Sequence, residues 1–413
     1  MLKEWIITLH NKEDLDGFYA DMESPKGNLF IPNRAVAVAH RRPISRNTHY
    51  MLQPAEVELI KADDRVWDVE LAELIDITTK PAGYTVSNGE FDKSWTSDAS
   101  DLNWGLLRHT EETNRNNWGG NGTSLVTSDL TITASGKNVD VVIVDGHIDP
   151  SHPEMAVNSD GSGGSRVQQF NWFSLTNAVS GGANGTYTYG PYIDGSNADR
   201  TDDNNHGVHC GGTVAGNTQG WARDANIYNI SPYGSNPNAL SSSLMWDYIR
   251  QWHNTKAINP ATGRRNPTVT NNSYGSSLTP NVNTFGSPTK VTYRGVTFDP
   301  GRDLTIAELQ ARGFYAPTLQ MSIPNYFTSR NADMQDAIND GILIVASAGN
   351  SYWKTVNSSD QDYNNTYDMT YGGINYTWYL HRGTGSGAGY APIINVGATS
   401  NDTQEDKAPF SNV

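Results

Sequence analysis

Five short apolar runs constrain the fold of this chain more than any other feature of its sequence. They are VDVVIV (139–144), ANIYNI (225–230), TVTNNS (268–273), GILIVAS (341–347) and PIINVGA (392–398). Short runs rich in β-branched residues are typical of buried parallel strands. Helix-like segments lie between them, at about 207–217, 240–254 and 331–339. Because strands alternate with helices, residues 101–413 are predicted to form a doubly wound α/β domain with a parallel sheet.

Three stretches, 156–200, 276–330 and 351–390, interrupt this alternation. They are rich in Gly, Asn, Tyr and Thr, and we predict that they are surface insertions. Within the second, Thr305 and Glu308 have the spacing of a capping box and predict a short helix. The insertions are longer than ordinary connections, which favours a role in ligand contacts or metal binding.

Residues 1–78 have a different pattern, which predicts a small α+β unit. EWIITL and RVWDVEL read as strands, whereas KEDLDGFYADM and PAEVELIKADD read as helices, the latter starting at Pro54. The predicted order along the chain is strand, helix, room for a hairpin, helix and strand. This order predicts a ferredoxin-like domain. Residues 79–100 are rich in Gly, Ser and Asp without a period and are interpreted as a linker.

Charge and composition narrow the classes of partner. The 413 residues include 29 basic and 44 acidic side chains, a net charge of −15, which argues against nucleic acid or an anionic membrane as the main partner. The chain shows neither a secretory signal peptide nor a transmembrane run of 18 apolar residues, so the compartment stays unknown. A structural calcium ion is possible, but no calcium-loop motif locates it, and metal ligands are unknown. One cysteine excludes an intrachain disulfide.

The segment DDNNHGVHCGGTVAGN (202–217) concentrates the reactive side chains His206, His209 and Cys210. A zinc site is one interpretation, but no H-E-x-x-H glutamate and no third ligand accompany the histidines. A Cys210 nucleophile is another, although a cysteine in a small-residue helix is more often a buried, inert side chain. In the third interpretation His206 is a general base.

Polar side chains follow the predicted strands at one edge of the sheet. Asp145 comes directly after VDVVIV, His206 opens a predicted helix, and Asn350 follows GILIVAS. Functional groups of open parallel sheets gather at the carboxyl ends of the strands. Each residue alone is compatible with a structural role, Asp145 as a capping residue and Asn350 as a turn residue. Together they predict a site that contains an acid, an imidazole and a carboxamide.

These motifs resemble those of the subtilisin-like serine proteases, or subtilases. VVIVDGHIDPSHPEM is similar to their aspartate motif, HGVHCGGTVAG to their histidine motif and ILIVASAGN to their oxyanion motif, in the same order. NNSYGSS is similar to a wall of the specificity pocket, and residues 1–78 resemble the ferredoxin-like inhibitory propeptide of the family. The resemblance covers most of the chain outside the three insertions.

The resemblance implies a serine endopeptidase zymogen, since these roles are known for subtilisin. His206 would be the general base, Asp145 its orienting carboxylate and Asn350 the oxyanion donor, with no cofactor for catalysis. Polypeptide substrates would pair with the backbone of a set of five substrate-binding residues: Ser273, Tyr274, Gly275, Ala348 and Gly349. Residues 1–78 would inhibit the enzyme until the linker is cut. Cys210 would pack behind His206, and His209 would be structural.

Two departures from the family pattern qualify this interpretation. The aspartate motif reads Asp145-Gly146-His147 where D-T-G or D-S-G is usual, and we expect His147 to lie at the surface. The G-T-S-x-A-x-P motif of the nucleophile does not occur, and Ser386 precedes the strand at 392–398 and is therefore misplaced. We expect a peptidase domain truncated before its serine. The alternative is a non-catalytic pseudoprotease that binds peptides or has a structural role.

Overall fold

The structure is a computed structural model that describes most of both predicted domains. The described residues are 2–27, 36–72, 134–158, 161–168, 206–217, 220–230, 244–275, 277–278, 288–299, 307, 323–324, 326–350, 353–371, 373–383, 391–400 and 406–412. The predicted linker at 79–100, the capping-box residues Thr305 and Glu308, Ser386 and parts of the three insertions lie outside these residues.

The N-terminal domain is a four-stranded antiparallel sheet with two helices. Its elements are β1 (Lys3–Leu9), a 3-10 turn (Lys12–Asp14), α1 (Leu15–Glu23), β2 (Ala37–His40), β3 (Asn47–Leu52), α2 (Pro54–Lys61) and β4 (Val66–Leu71). The strand order β2-β3-β1-β4 is that of a ferredoxin-like fold, which confirms the predicted fold of this segment.

Local sequence explains these elements. Helix α2 starts with Pro54 in its first turn. The backbone amide of Gln53 donates to the Glu56 carboxylate at 2.7 Å in a capping box. Helix α1 repeats buried apolar residues at helical spacing, including Phe18 and Met22, each 0 % exposed. These side chains and the inward residues of β1 belong to one hydrophobic cluster, which forms the core of the small domain.

The described residues of the second part of the chain, 134–412 with gaps, form twelve strands and three longer helices. The strands are β5 (Asp140–Val144), β6 (Val167–Gln168), β7 (Asn226–Ile230), β8 (Thr268–Asn272), β9 (Ser277–Leu278), β10 (Pro288–Tyr293), β11 (Val296–Phe298), β12 (Ile323–Pro324), β13 (Leu343–Ser347), β14 (Thr366–Tyr371), β15 (Ile374–Tyr379) and β16 (Ile394–Val396). The helices are α3 (His206–Ala215), α4 (Met245–Thr255) and α5 (Thr328–Asn339).

Six of these strands form a parallel sheet in the order β16-β13-β8-β5-β7-β6. Val142 and Val144 of β5 join a cluster with residues of α4 and α5. Val141 and Ile143 point to the other face and join a cluster with Cys210 and other residues of α3. Helices therefore cover both faces, and the predicted doubly wound α/β fold is confirmed.

Parts of two predicted insertions pair with each other. Strands β10, β11, β14 and β15 form an antiparallel sheet in the order β11-β10-β14-β15, which we call the insertion sheet. Val291 and Tyr367 of this sheet are 0 % exposed. These segments are therefore partly buried, whereas their composition predicts surface insertions. Strands β9 and β12 form a separate antiparallel pair.

The N-terminal domain contacts the parallel-sheet domain through α4 and α5. Arg42 is 1 % exposed, and its guanidinium donates to Asp247 of α4 at 2.7 and 2.9 Å and to Asp333 of α5 at 2.9 Å. Glu70 accepts hydrogen bonds from the first two amides of α5, those of Thr328 and Ser329, at 3.0 and 2.8 Å. Carboxylates are favourable at a helix N-terminus, so this contact stabilises α5 as well as the docked domain.

No helix in the part of the chain that the structure describes combines the length and the apolar character needed to cross a lipid bilayer.

Candidate active site

The site is built around Asp145, at the carboxyl end of the buried strand β5. Its amide donates to the carbonyl of Ile230, which continues the ladder between β5 and β7, and its side chain is 0 % exposed. Carboxylate oxygen Oδ1 accepts a hydrogen bond from the Gly146 amide at 2.7 Å. This bond fixes the carboxylate against its own turn, so the side chain has one orientation.

His206, the first residue of α3, lies against this carboxylate. Its Nδ1 is 2.7 Å from Asp145 Oδ1, and its side chain keeps 17 % of its surface exposed. The neutral imidazole tautomer with its proton on Nδ1 donates to an ionised Asp145 carboxylate in this geometry and keeps the lone pair of Nε2 for another proton. The geometry therefore gives an imidazole with one buried, anchored nitrogen and one nitrogen available as a base.

Gly207 makes this close approach between α3 and the aspartate turn possible. A Cβ atom at this position would lie 2.3 Å from the carbonyl oxygen of Gly146 and 3.0 Å from that of His147. Only glycine lets the two backbones approach this closely. The glycine after His206 therefore sets the distance between the histidine and Asp145.

Cys210 lies one turn further along α3. Its side chain is buried without a disulfide, and Sγ is 3.6 Å from His206 Nδ1. Burial, reinforced by the charge of Asp145, raises the pKa of the thiol well above its usual range. The ligand atoms of Asp145, His206 and Cys210 all lie within 4.8 Å of one another, close enough for a metal ion. A buried thiol that stays protonated is a poor nucleophile, so the geometry favours a carboxylate–imidazole pair over a Cys210 nucleophile.

Asn350 lies at the same edge of the sheet, three residues after β13, and is exposed. Because β8 separates β13 from β5, Asn350 is two strands away from Asp145. The preceding Gly349 has a φ of +101°, a conformation that favours glycine and turns the chain out of the strand. The position agrees with a donor at the edge of the site, and its role stays a prediction.

Ala348 and Gly349 are held by the C-terminal segment. The Ala348 carbonyl accepts from the side-chain amide of Asn412 at 2.7 Å, and the Gly349 carbonyl accepts from the Asn412 backbone amide at 3.0 Å. The Ala348 amide donates to Val396 in β16 at 2.9 Å. These bonds fix the turn that presents Asn350, whereas the predicted pairing of both residues with substrate stays a prediction.

Ser273, Tyr274 and Gly275 follow β8, between the strands that carry Asp145 and Asn350. Tyr274 is 2 % exposed; its hydroxyl donates to Asn272 at 3.2 Å and its carbonyl accepts from Ser347 at 3.2 Å. The Ser273 hydroxyl accepts from Asn271 at 3.0 Å. The segment is therefore anchored at both sides, and its predicted substrate-binding role is untested.

One residue that positions the site was missed in the sequence. Asn229 of β7 donates to the carbonyls of Ile143 and Gly146, both at 3.1 Å, and accepts from the Ile148 amide at 3.3 Å. It thus ties down both sides of the turn that carries Asp145. The available signal was an asparagine between Tyr228 and Ile230, near the carboxyl end of the strand.

The two other histidines near the site differ in exposure. His209, on α3, is exposed. His147 was expected at the surface, but it is half-buried and its Nε2 is shielded from solvent. His147 belongs to the aspartate turn, whose backbone packs against α3 at Gly207, so this turn is not a free surface loop.

Comparison with known proteins adds a family match. Residues 136–413 match the family described as the Subtilase family. No curated protein matches the chain. One similar solved structure is the epidermin leader peptide processing serine protease of Staphylococcus aureus, with 12 % identity over 100 % of this chain and 73 % of that chain and a TM-score of 0.46. Fervidolysin from Fervidobacterium pennivorans has 16 % identity over 92 % of this chain and 45 % of that chain, with a TM-score of 0.37. The nisin leader peptidase of Lactococcus lactis has 16 % identity over 68 % of this chain and 60 % of that chain, with a TM-score of 0.29. The family match includes the whole parallel sheet and the Asp145–His206 pair.

Proposed function

The chain belongs to the subtilase family, and from this premise we propose that it is a serine endopeptidase zymogen that hydrolyses peptide bonds with an Asp-His-Ser triad. The observation that carries the proposal is the 2.7 Å contact between His206 Nδ1 and the fully buried Asp145 carboxylate. This pair has the geometry of a general base with its orienting acid.

In the proposed reaction, His206 Nε2 takes the proton of a serine hydroxyl as the hydroxyl oxygen attacks the peptide carbonyl. Asp145 keeps the proton of the neutral imidazole on Nδ1 and stabilises the imidazolium that forms. His206 then gives the proton to the leaving amine as the C–N bond breaks, which leaves the acyl group on the serine. Water, deprotonated by the same imidazole, attacks this ester and releases the acid, and His206 returns the proton to the serine oxygen. The serine of this proposal belongs to the family motif G-T-S-x-A-x-P, which does not occur in residues 1–413.

The oxyanion that forms on the carbonyl oxygen needs donors at the same edge of the sheet. We assign this role to the side-chain amide of Asn350, together with a backbone N–H group. Its exposure and its position beyond β13 support the assignment. The substrate backbone would add as a strand beside Ser273–Gly275, next to Ala348 and Gly349. No cofactor takes part, and any calcium ion would be structural.

The N-terminal domain is the proposed intramolecular inhibitor. The proposal is supported by the domain's contacts with α4 and α5, which consist of the buried hydrogen bonds of Arg42 and those of Glu70 at the start of α5. Strand β4 ends at Leu71, from which the linker at 79–100 continues. Self-cleavage within this linker would separate inhibitor from enzyme, so the polypeptide partners are the substrate and the chain's own N-terminal domain.

The test is cleavage of the linker in the protein as expressed from its gene. His206→Ala should abolish the cut within 79–100, whereas His209→Ala, an exposed histidine on the same helix, should leave it intact. The N-terminus of the product is read by mass spectrometry. Cleavage that persists in His206→Ala contradicts the proposal, and a wild-type protein that binds peptide without cutting it supports the non-catalytic alternative.

A further inference from the structure

The insertion sheet contacts the N-terminal domain as well as its own. A single cluster of buried apolar residues contains Trp5, Leu71 and other core residues of the N-terminal domain, together with Val291, Tyr367 and Ile374 of the insertion sheet. Ile374 is 5 % exposed and Leu71 is 2 % exposed. The core of the small domain therefore continues into the insertion sheet.

Aromatic rings form the direct contact. The rings of Trp5 in β1 and Tyr376 in β15 are stacked, with centroids 6.4 Å apart and planes 9° apart. Tyr376 stacks in turn on Trp378 at 6.1 Å, and Trp378 meets Phe327 edge to face at 5.8 Å. Aromatic pairs at these distances add to the stabilisation from buried area alone. The row links β1, the insertion sheet and the residue that precedes α5.

A cavity of about 170 Å³ lies at the junction of the three parts. Val69 and Leu71 of β4 line one side, Phe327 lines a second, and Tyr376 and Trp378 line the third. The cavity shows that packing between the N-terminal domain and the insertion sheet is incomplete, so this contact is less tightly filled than a domain core. Such a contact can separate without unfolding either sheet.

We propose that the insertion sheet is a second docking surface for the chain's own N-terminal domain and sets how long that domain stays bound after the linker is cut. The contact differs in chemistry from the charged contact at α4 and α5, and the two are continuous through Phe327 and Thr328 at the start of α5. The consequence for inhibition rests on the proposed function, whereas the docking itself does not.

The charged contact at α4 and α5 and the aromatic contact at the insertion sheet would have different roles. The Arg42 network and Glu70 orient the domain on the helices, and the aromatic contact slows its departure. When the domain leaves, the rings of Tyr376 and Trp378 lose their cover. Exposed apolar patches of this kind favour rebinding of the same partner. The insertion sheet would thus prolong the inactive state of the nicked protein.

The experiment uses the full chain with a site for a sequence-specific protease placed within 79–100. After the nick, the dissociation rate of the N-terminal fragment is measured by surface capture or from tryptophan fluorescence. Tyr376→Ala should speed dissociation about tenfold, the effect expected from losing an aromatic contact together with its buried area. Tyr376→Phe, which keeps the ring, should dissociate at the wild-type rate.

Tyr363→Ala is the matched control, because this ring lies over Arg382 at 3.9 Å and outside the shared cluster. Circular dichroism and the melting temperature show whether each variant folds. Equal dissociation rates for folded Tyr376→Ala, Tyr363→Ala and wild-type protein overturn the inference. Because the nick is made by an added protease, the readout does not depend on the chain's own activity. It can fail while linker cleavage that requires His206 succeeds, and the reverse also holds.

Discussion

Replacement of Arg42 by methionine tests how the N-terminal domain is held. The side chain is 1 % exposed and donates three hydrogen bonds, at 2.7 to 2.9 Å, to the carboxylates of Asp247 and Asp333. Methionine keeps most of the length but leaves both buried carboxylates without their cation. Breaking a buried ion pair in this way costs about 3–5 kcal/mol. At about 1.4 kcal/mol per factor of ten, the affinity of the N-terminal domain for the rest of the chain should fall by a factor between roughly one hundred and several thousand.

The assay is the nicked full chain, in which the affinity of the N-terminal fragment is measured directly. Arg41→Met is the control, because Arg41 pairs with Glu23 inside the N-terminal domain and is partly exposed. Burial, opposed by Arg42 and reinforced by Asp247, raises the pKa of Asp333 to about 6. Arg42→Met removes the cation that lowers this pKa, so Asp333 of the variant protonates at a still higher pH. The defect of Arg42→Met should therefore shrink as the pH falls toward about 6 and stay constant below it. A loss no larger than that of Arg41→Met at neutral pH would refute the reasoning.

Three further predictions concern single groups. Burial lowers the pKa of His49 from 6.5 to about 4, so its contribution to stability is present above pH 6.5 and is lost as the pH falls toward 4. Between about pH 7.5 and pH 5, wild-type protein should lose about 2 kcal/mol more unfolding free energy than His49→Asn in urea titrations, and equal losses would contradict this. Gly207→Ala should break the His206–Asp145 hydrogen bond, as seen in NMR spectra of the imidazole, and lower the melting temperature. Gly212→Ala is the control and should do neither, because its added Cβ would lie 3.9 Å from the nearest atom. The Cys210 thiol should react with a disulfide reagent more than about a hundredfold slower in the folded than in the unfolded chain, and similar rates would show that it is not buried.

The parallel sheet could be predicted from sequence because its strands carry a local signal. Each β-branched run became a strand within about two residues of its predicted bounds, as VDVVIV did in β5. Parallel strands end at one edge, so the approach of Asp145 and His206 also follows from topology. The 2.7 Å distance between them does not, because it depends on the Gly207 contact and on the amide of Asn229.

The insertion sheet carried no comparable signal. Its strands β10 and β14 lie in different insertions, and Tyr- and Thr-rich segments resemble loops until their pairing partner is known. Arg42 was missed for a related reason, since its partners Asp247 and Asp333 are far away in sequence. Long-range pairing and interdomain charge contacts depend on the assembled fold rather than on periodicity.

The central claim of the proposed function is that His206 activates a serine. The most direct measurement is labelling of the complete gene product with a fluorophosphonate probe, followed by mass spectrometry to locate the modified residue. The account predicts one labelled serine, in a G-T-S-x-A-x-P motif, and loss of labelling in His206→Ala but not in His209→Ala. A folded wild-type protein that takes up no label, or equal labelling of wild-type protein and His206→Ala, would contradict it.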